Sequence, residues 1–382
     1  AEILIKANKF NKFFANVGRK TFEESRENLN IGLHNEINVE LDYNRIVFKP
    51  EPVDLSTIIL TIKELNDTNA FGSDNIPFKY IKDCLPTIVF YILIIVNTSI
   101  TTSKFPKNWK YPHVLPYFKS GNKDEVSNYR PISLLPILSK VLEKIVAKQL
   151  VNYLESNQIL SNHQHGFRSK LSTETALLTV TEKIYRNIDE KKLSLLLLLD
   201  LSKAFDSVSH DILLKKCIKY NIDPSWIASY LCDRYQAVRI NNTISSPCLV
   251  PYGVPEGSIL GPILFLIYVN DISDYIKNCL LVQYADDTQL LLTGSIEDIK
   301  ELINQAEILL ITLKKYFQMN GLKLNENKTQ CIFFGSRQYV SRIPNDIIIR
   351  LGDSQIVPST SVKNLGVYMD QYLTYDIHIK EI

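Results

Sequence analysis

The chain has no CxxC pair. Its six cysteines, Cys84, Cys217, Cys232, Cys248, Cys279 and Cys331, lie scattered over 382 residues, which argues against structural zinc and for a reducing, intracellular compartment. No signal peptide is visible over residues 1–11, and the apolar run over residues 85–96 is too short to span a bilayer, so no membrane partner is expected. Neither an internal repeat nor a low-complexity tract occurs. Excess charge is nearly lacking too: the formal net charge is +2, with 45% hydrophobic and 22% charged residues, ordinary globular material long enough for two or three lobes. Any polyanion must therefore be met by the distribution of charge. Residues 101–150 hold nine Lys/Arg against three Asp/Glu, a balance that suits phosphate-backbone binding beside a more acidic region.

What is present centres on Tyr284-Ala285-Asp286-Asp287, set between the apolar stretches Leu280-Leu281-Val282 and Leu290-Leu291-Leu292. The pattern predicts a tight strand-turn-strand carrying two adjacent carboxylates. Neighbouring carboxylates repel, and divalent cations offset that repulsion; an ordinary Asp-rich turn is the alternative. About eighty residues upstream, Ser194-Leu195-Leu196-Leu197-Leu198-Leu199 closes on Asp200. So short and unbroken an apolar run reads as a strand buried on both faces. If that strand lies beside the hairpin, Asp200 and Asp286 share two Mg2+ ions, with Asp287 as third carboxylate, in a two-metal phosphoryl-transfer arrangement.

Between these motifs lies Gly253-Val254-Pro255-Glu256-Gly257-Ser258-Ile259-Leu260-Gly261-Pro262. Its glycines and proline force a bend, Ser258 is placed to cap an apolar helix over residues 259–269, and glycines allow a nucleic-acid backbone to approach. His163 and His165 have no further His or Cys nearby to complete a metal site.

Along the chain, helical spacing is read over residues 3–25, 55–65, 86–98, 137–157 and 296–317, and from about Ser172. Residues up to about 52 read as a polar, irregular linker, and 105–136 as a basic, proline-containing stretch. From Leu193 the order strand, helix, strand, strand, helix, strand, ending with a strand over residues 330–334, suits a ferredoxin-like α+β layer with helices on one sheet face and the carboxylates on the other.

These motifs, with Gly72-Ser73-Asp74-Asn75-Ile76-Pro77, Trp109, Pro116-Tyr117-Phe118-Lys119, Asn128-Tyr129-Arg130-Pro131-Ile132-Ser133, Gln164-His165-Gly166-Phe167-Arg168, Asn325-Glu326-Asn327-Lys328-Thr329 and Leu365-Gly366-Val367, occur in one order. That order resembles the reverse transcriptases of non-long-terminal-repeat (LINE-type) retrotransposons, the jockey-like group above all. The resemblance implies an RNA-directed DNA polymerase with a right-hand α+β fold. Its expected parts are an N-terminal helix and linker (1–52), fingers (53–190), a ferredoxin-like palm (191–352, with a fingers return near 215–250), and a primer-grip region opening a thumb that is largely missing (353–382).

The family's roles then fall on residues of this chain. Asp200, Asp286, Asp287 and the carbonyl of Leu201 would hold two Mg2+ ions, with Mn2+ a possible substitute. Phe205 would be an aromatic gate against a ribose 2'-hydroxyl. Lys119, Arg130, Glu256, Gly257 and Lys328 would meet the incoming nucleotide, Lys328 as a proton donor to pyrophosphate. Gln164, Gly166, Phe167, Arg168, Gly253, Pro255, Leu365 and Gly366 would hold template and primer. The implied partners are an RNA template, a DNA primer, dNTPs and element RNA in a ribonucleoprotein, in cytoplasm and nucleus. Glu256 stands where the family usually has Gln, adding a charge that repels a triphosphate. A degenerate copy that binds RNA without catalysis, and an RNA-dependent RNA polymerase, are the alternatives.

Overall fold

Five consecutive leucines can be buried in one strand only if both sheet faces are covered, and the computed structural model covers both. It describes residues 2–27, 47–66 and 71–382; most of the linker expected before residue 52 lies outside them. Along the chain run α1 (Glu2–Arg26), α2 (Leu55–Lys63), α3 (Phe78–Asp83), α4 (Leu85–Thr102), β1 (His113–Phe118), β2 (Tyr129–Leu134), α5 (Ile137–Ser156) and α6 (Thr173–Asp189). Then come β3 (Leu193–Leu199), β4 (Leu201–Ser202), α7 (His210–Lys219), α8 (Pro224–Leu231), β5 (Tyr235–Ile240), β6 (Thr243–Ile244), β7 (Cys248–Leu249) and α9 (Leu260–Val269). The remainder holds β8 (Leu280–Tyr284), β9 (Asp287–Gly294), α10 (Ile299–Met319), β10 (Lys323–Leu324), β11 (Gln330–Phe334), α11 (Arg337–Val340), β12 (Ile349–Leu351), β13 (Ser354–Ile356), β14 (Ser361–Asn364), β15 (Val367–Asp370) and α12 (Asp376–Glu381). The chain forms two compact units, Ala1–Ile159 with Phe205–Tyr268, and Leu160–Ala204 with Val269–Ile382.

In the first unit a sheet runs in the order β2-β1-β5-β6, with β7 also on β5. β1 pairs antiparallel with β2 and parallel with β5. The amphipathic helix α1 lays Ala7, Phe10 and Phe14 against Val114 and Val238 of that sheet, and Asn11 Nδ2 donates to the carbonyls of Gln236 (3.2 Å) and Ser246 (2.7 Å). The apolar segment expected to stop near residue 96 continues as the 18-residue α4, long and apolar enough by composition to cross a membrane and only 28% buried. Length therefore excludes nothing about a membrane, contrary to the reading of residues 85–96. Val89, Ile92, Val96 and Ile100 are buried, whereas Phe90, Tyr91 and Ile94 are exposed.

The second unit is built on the antiparallel sheet β11-β3-β9-β8. Counted in chain order this is 4-1-3-2, the arrangement of a β-α-β-β-α-β layer. Helix α6, capped by Ser172, sets Ala176, Val180 and Ile184 on the face carrying Leu196, Leu291, Val282 and Ile332. On the other face of β9, Leu302 of α10 packs within 3.4 Å of where a Cβ of Gly294 would be. Helices thus cover both faces, and the expectation of carboxylates on a bare face gives way to carboxylates at the sheet's end. Leu193, Leu195, Leu196 and Leu197 are fully buried, so neither face of β3 has room for a charge.

Candidate active site

β3 and β9 pair from Leu193↔Gly294 through Leu199↔Thr288. One step further along that register sets Asp200 opposite Asp287, the first residue of β9. β8 and β9 close on Tyr284↔Asp287, so Ala285 and Asp286 form a two-residue turn. Strand pairing alone thus brings Asp200 to the same end of one sheet as the adjacent pair Asp286 and Asp287, more than eighty residues away in sequence.

The turn is held by the segment expected at the template. Gln164 is buried, and its side-chain amide takes both backbone groups of Ala285: Oε1 accepts the Ala285 N–H at 2.9 Å, and Nε2 donates to the Ala285 carbonyl at 3.3 Å. The same Oε1 accepts the Gly166 N–H at 2.8 Å. Ala285 has φ of +55°, a left-handed conformation costly for a residue with a Cβ, and the clamp offsets that strain. A Cβ at Gly166 would stand 2.4 Å from the Ala285 nitrogen, so the close approach requires glycine. Arg168 Nη1 donates to the Ser161 carbonyl at 2.8 Å, and Phe167 is half exposed. His165 is buried with Nδ1 2.8 Å from Thr175 Oγ1, and burial lowers its pKa, helped by Arg168 and His163.

Asp200 is half-buried. Its carbonyl accepts the Asn325 N–H at 2.8 Å, and Lys328 Nζ lies 3.5 Å from its Oδ2. Leu201 is buried and pairs with Leu324. Carboxylate oxygens are the donors a hard divalent cation prefers, and the backbone gathers them, so the donor set fits magnesium. The side chains stand looser: among the described residues no three His, Cys, Asp or Glu are grouped closely enough to hold a metal ion, and Asp200 is engaged by a lysine cation. A groove of about 270 Å³ runs from Asp287, Thr288 and Gln289 to Lys363 and the Leu365-Gly366 turn. That turn joins β14 to β15, and Asn364 Nδ2 donates to Gln289 Oε1 at 2.7 Å.

In the first unit, Gly253 has φ of +83°, and a Cβ there would stand 2.7 Å from the Asp206 carbonyl; only glycine fits. Its N–H donates to the Val208 carbonyl at 2.8 Å, Val254 N–H to Phe205 O at 3.0 Å, and Ser133 N–H to Glu256 O at 2.9 Å. His210 Nε2 is 2.8 Å from the Gly253 carbonyl. Ser258 caps α9 as expected, its Oγ accepting the Gly261 N–H at 3.0 Å. The Phe205 ring stacks on Phe265 at 4.5 Å. Lys119 is exposed, and so is Arg130 on β2 opposite Tyr117. Pro255 and Glu256 line, with Asp206, Arg234 and Tyr252, a cavity of about 40 Å³.

A family model described as reverse transcriptase (RNA-dependent DNA polymerase) matches residues 119–369. The chain belongs to the reverse transcriptase family. It is 32% identical over 341 residues to the probable RNA-directed DNA polymerase from transposon BS of Drosophila melanogaster, covering 86% of this chain and 37% of that protein. To the corresponding protein of transposon X-element it is 30% identical over 356 residues, covering 91% and 38%. To the RNA-directed DNA polymerase from mobile element jockey it is 26% identical, covering 86% and 36%. The chain thus spans little more than a third of the length of these relatives, and its resemblance to the jockey-like group holds over most of its own length.

Three buried charged residues lie outside the sequence motifs: Glu143 and Lys216 are fully buried and Arg234 nearly so. The signal was available for Glu143, which sits between Leu142 and Ile145 on the apolar stripe of α5.

Proposed function

We propose that this chain is the catalytic core of a non-LTR retrotransposon polymerase that adds dNTPs to a DNA primer 3'-hydroxyl on an RNA template. The observation that carries the reading is the β3–β9 register, whose last pair, Leu199↔Thr288, leaves Asp200 and Asp287 at the sheet end that also bears the Asp286 turn. Asp200, Asp286 and Asp287, with the Leu201 carbonyl, would hold two Mg2+ ions, for which Mn2+ could substitute. Bound divalent ions supply activation of the attacking hydroxyl and stabilisation of the leaving pyrophosphate.

This chain's residues do the rest. Lys328, whose Nζ lies 3.5 Å from Asp200 Oδ2, would donate its proton to the departing pyrophosphate. Lys119 and Arg130 pair with triphosphate oxygens, the Phe205 ring, backed by Phe265, excludes a 2'-hydroxyl, and the Leu365-Gly366 turn supports the primer. Gln164 holds the carboxylate turn while Phe167 and Arg168 border the template. Element RNA in a ribonucleoprotein, reaching the nucleus, is the partner this reading implies.

The test is Mg2+-dependent extension of a DNA primer annealed to an RNA template, with dNTPs and NTPs compared. Extension with dNTPs alone supports the reading. Extension with NTPs at equal rate moves it to an RNA polymerase, and tight RNA binding with no extension moves it to a non-catalytic element copy.

A further inference from the structure

The loop over residues 253–261 runs directly into α9, and a helix start leaves backbone N–H groups without helical partners. Ser258 satisfies only one of them, that of Gly261. The N–H groups of Ile259 and Leu260 point instead to a residue 116 and 117 positions away: Glu143 Oε2 accepts them at 3.0 and 3.4 Å. Its Oε1 accepts the Ser139 hydroxyl at 2.9 Å. Glu143 is 0% exposed. A carboxylate so buried is costly unless charge and hydrogen bonds compensate it. Three donors do so here, with the positive end of the α9 dipole and the guanidinium of Arg234. Arg234 is itself buried, with Nη1 on the Tyr230 carbonyl at 3.0 Å, its charge 4.9 Å from the Tyr230 ring centre, and Nη2 without a hydrogen-bond partner among the described residues. Burial raises the Glu143 pKa, opposed first by Arg234 and then by Ser139 and the two backbone donors.

We propose that Glu143 is a positioning residue: its carboxylate completes the cap of α9 and thereby fixes the far end of the loop that presents Pro255, Glu256 and Gly257 to nucleotide and template. This inference rests on the reading of that loop given under Proposed function. The loop's near end is tied by Val208, Phe205 and His210, its middle by Ser133, so Glu143 supplies the remaining anchor.

The test compares Glu143→Ala, Glu143→Gln and Leu150→Ala, the last removing a fully buried side chain from the same helix, at temperatures where all are folded. Two readouts are taken: amide hydrogen exchange across residues 253–261, and KM for dNTP against kcat in primer extension. Glu143→Ala is expected to speed exchange at Ile259 and Leu260 and to raise KM by about tenfold, with kcat changed far less. Glu143→Gln, which keeps an acceptor, recovers part of both, and Leu150→Ala moves neither. Equal exchange in Glu143→Ala and Leu150→Ala, or equal KM, overturns the proposal. If the parent chain extends no primer, the polymerase reading fails while the exchange measurement still decides the role of Glu143.

Discussion

The carboxylate turn at residues 284–287 and the far end of the glycine-proline loop at 253–261 each bond a buried side chain from far along the chain, but the two side chains differ in charge. The turn carries two carboxylates and is clamped by the neutral amide of Gln164. The loop ends at a helix N-terminus and is clamped by the carboxylate of Glu143. Electrostatics accounts for the difference. A third anion beside Asp286 and Asp287 would repel them, whereas an anion at a helix start meets a positive dipole end. An amide also offers a donor and an acceptor together, which Ala285 needs for its N–H and its carbonyl.

The largest expected effect tests which region does the chemistry. Asp286→Asn should lower primer extension by roughly a thousandfold or more if, as proposed, it removes a metal ligand, while the thermal midpoint stays near that of the parent. A variant that keeps most of its rate would take the turn out of the mechanism. Next comes an exchange of clamp charge. Gln164→Glu should destabilise the protein by about 2–4 kcal/mol in denaturant unfolding at pH 8, since it loses the bond to the Ala285 carbonyl and buries a charge beside two others. The loss should shrink at pH 5, where that carboxyl takes up a proton. A penalty independent of pH would show that the hydrogen bond alone matters.

On the loop side, Glu256→Gln should raise the extension rate by up to about tenfold by removing repulsion toward the triphosphate; an unchanged or lower rate rejects the repulsion argument. The smallest effect concerns the ring of His210 on the Gly253 carbonyl. Burial lowers the pKa of His210 from 6.5, as it does for His113, whose pKa Arg239 lowers further. The unfolded chain then takes up protons more readily than the folded one, so stability is fully present above pH 6.5 and falls as pH drops below it. Denaturant midpoints between pH 7.5 and 5.5 should show this fall, and His210→Gln should flatten it.

Much of this architecture is legible in the sequence where signals are local. The leucine run before Asp200 reads as a doubly buried strand, the apolar flanks of Tyr284-Ala285-Asp286-Asp287 as a hairpin, and Ser258 as a helix cap, because each depends on neighbours within a few positions. The sheet of the first unit is not legible. Its strands β1 and β2 contain Pro116 and Pro131, set opposite each other in the ladder, where neither can donate a hydrogen bond, so residues 105–136 read as an irregular basic stretch. What the two clamps hold is hidden for another reason. The apolar stripe of α5 marks Glu143 as buried, but neither Glu143 nor Gln164 shows its partner, more than a hundred residues away, until the chain folds.

Whether Asp200, Asp286 and Asp287 jointly hold divalent cations can be seen in anomalous scattering from a crystal of the chain with primer, RNA template, dNTP and Mn2+. Manganese density at Asp200 and the Asp286–Asp287 turn, with Lys328 released from Asp200, is the expected result. Manganese bound elsewhere, with the Lys328–Asp200 pair intact, would rule out a shared metal site.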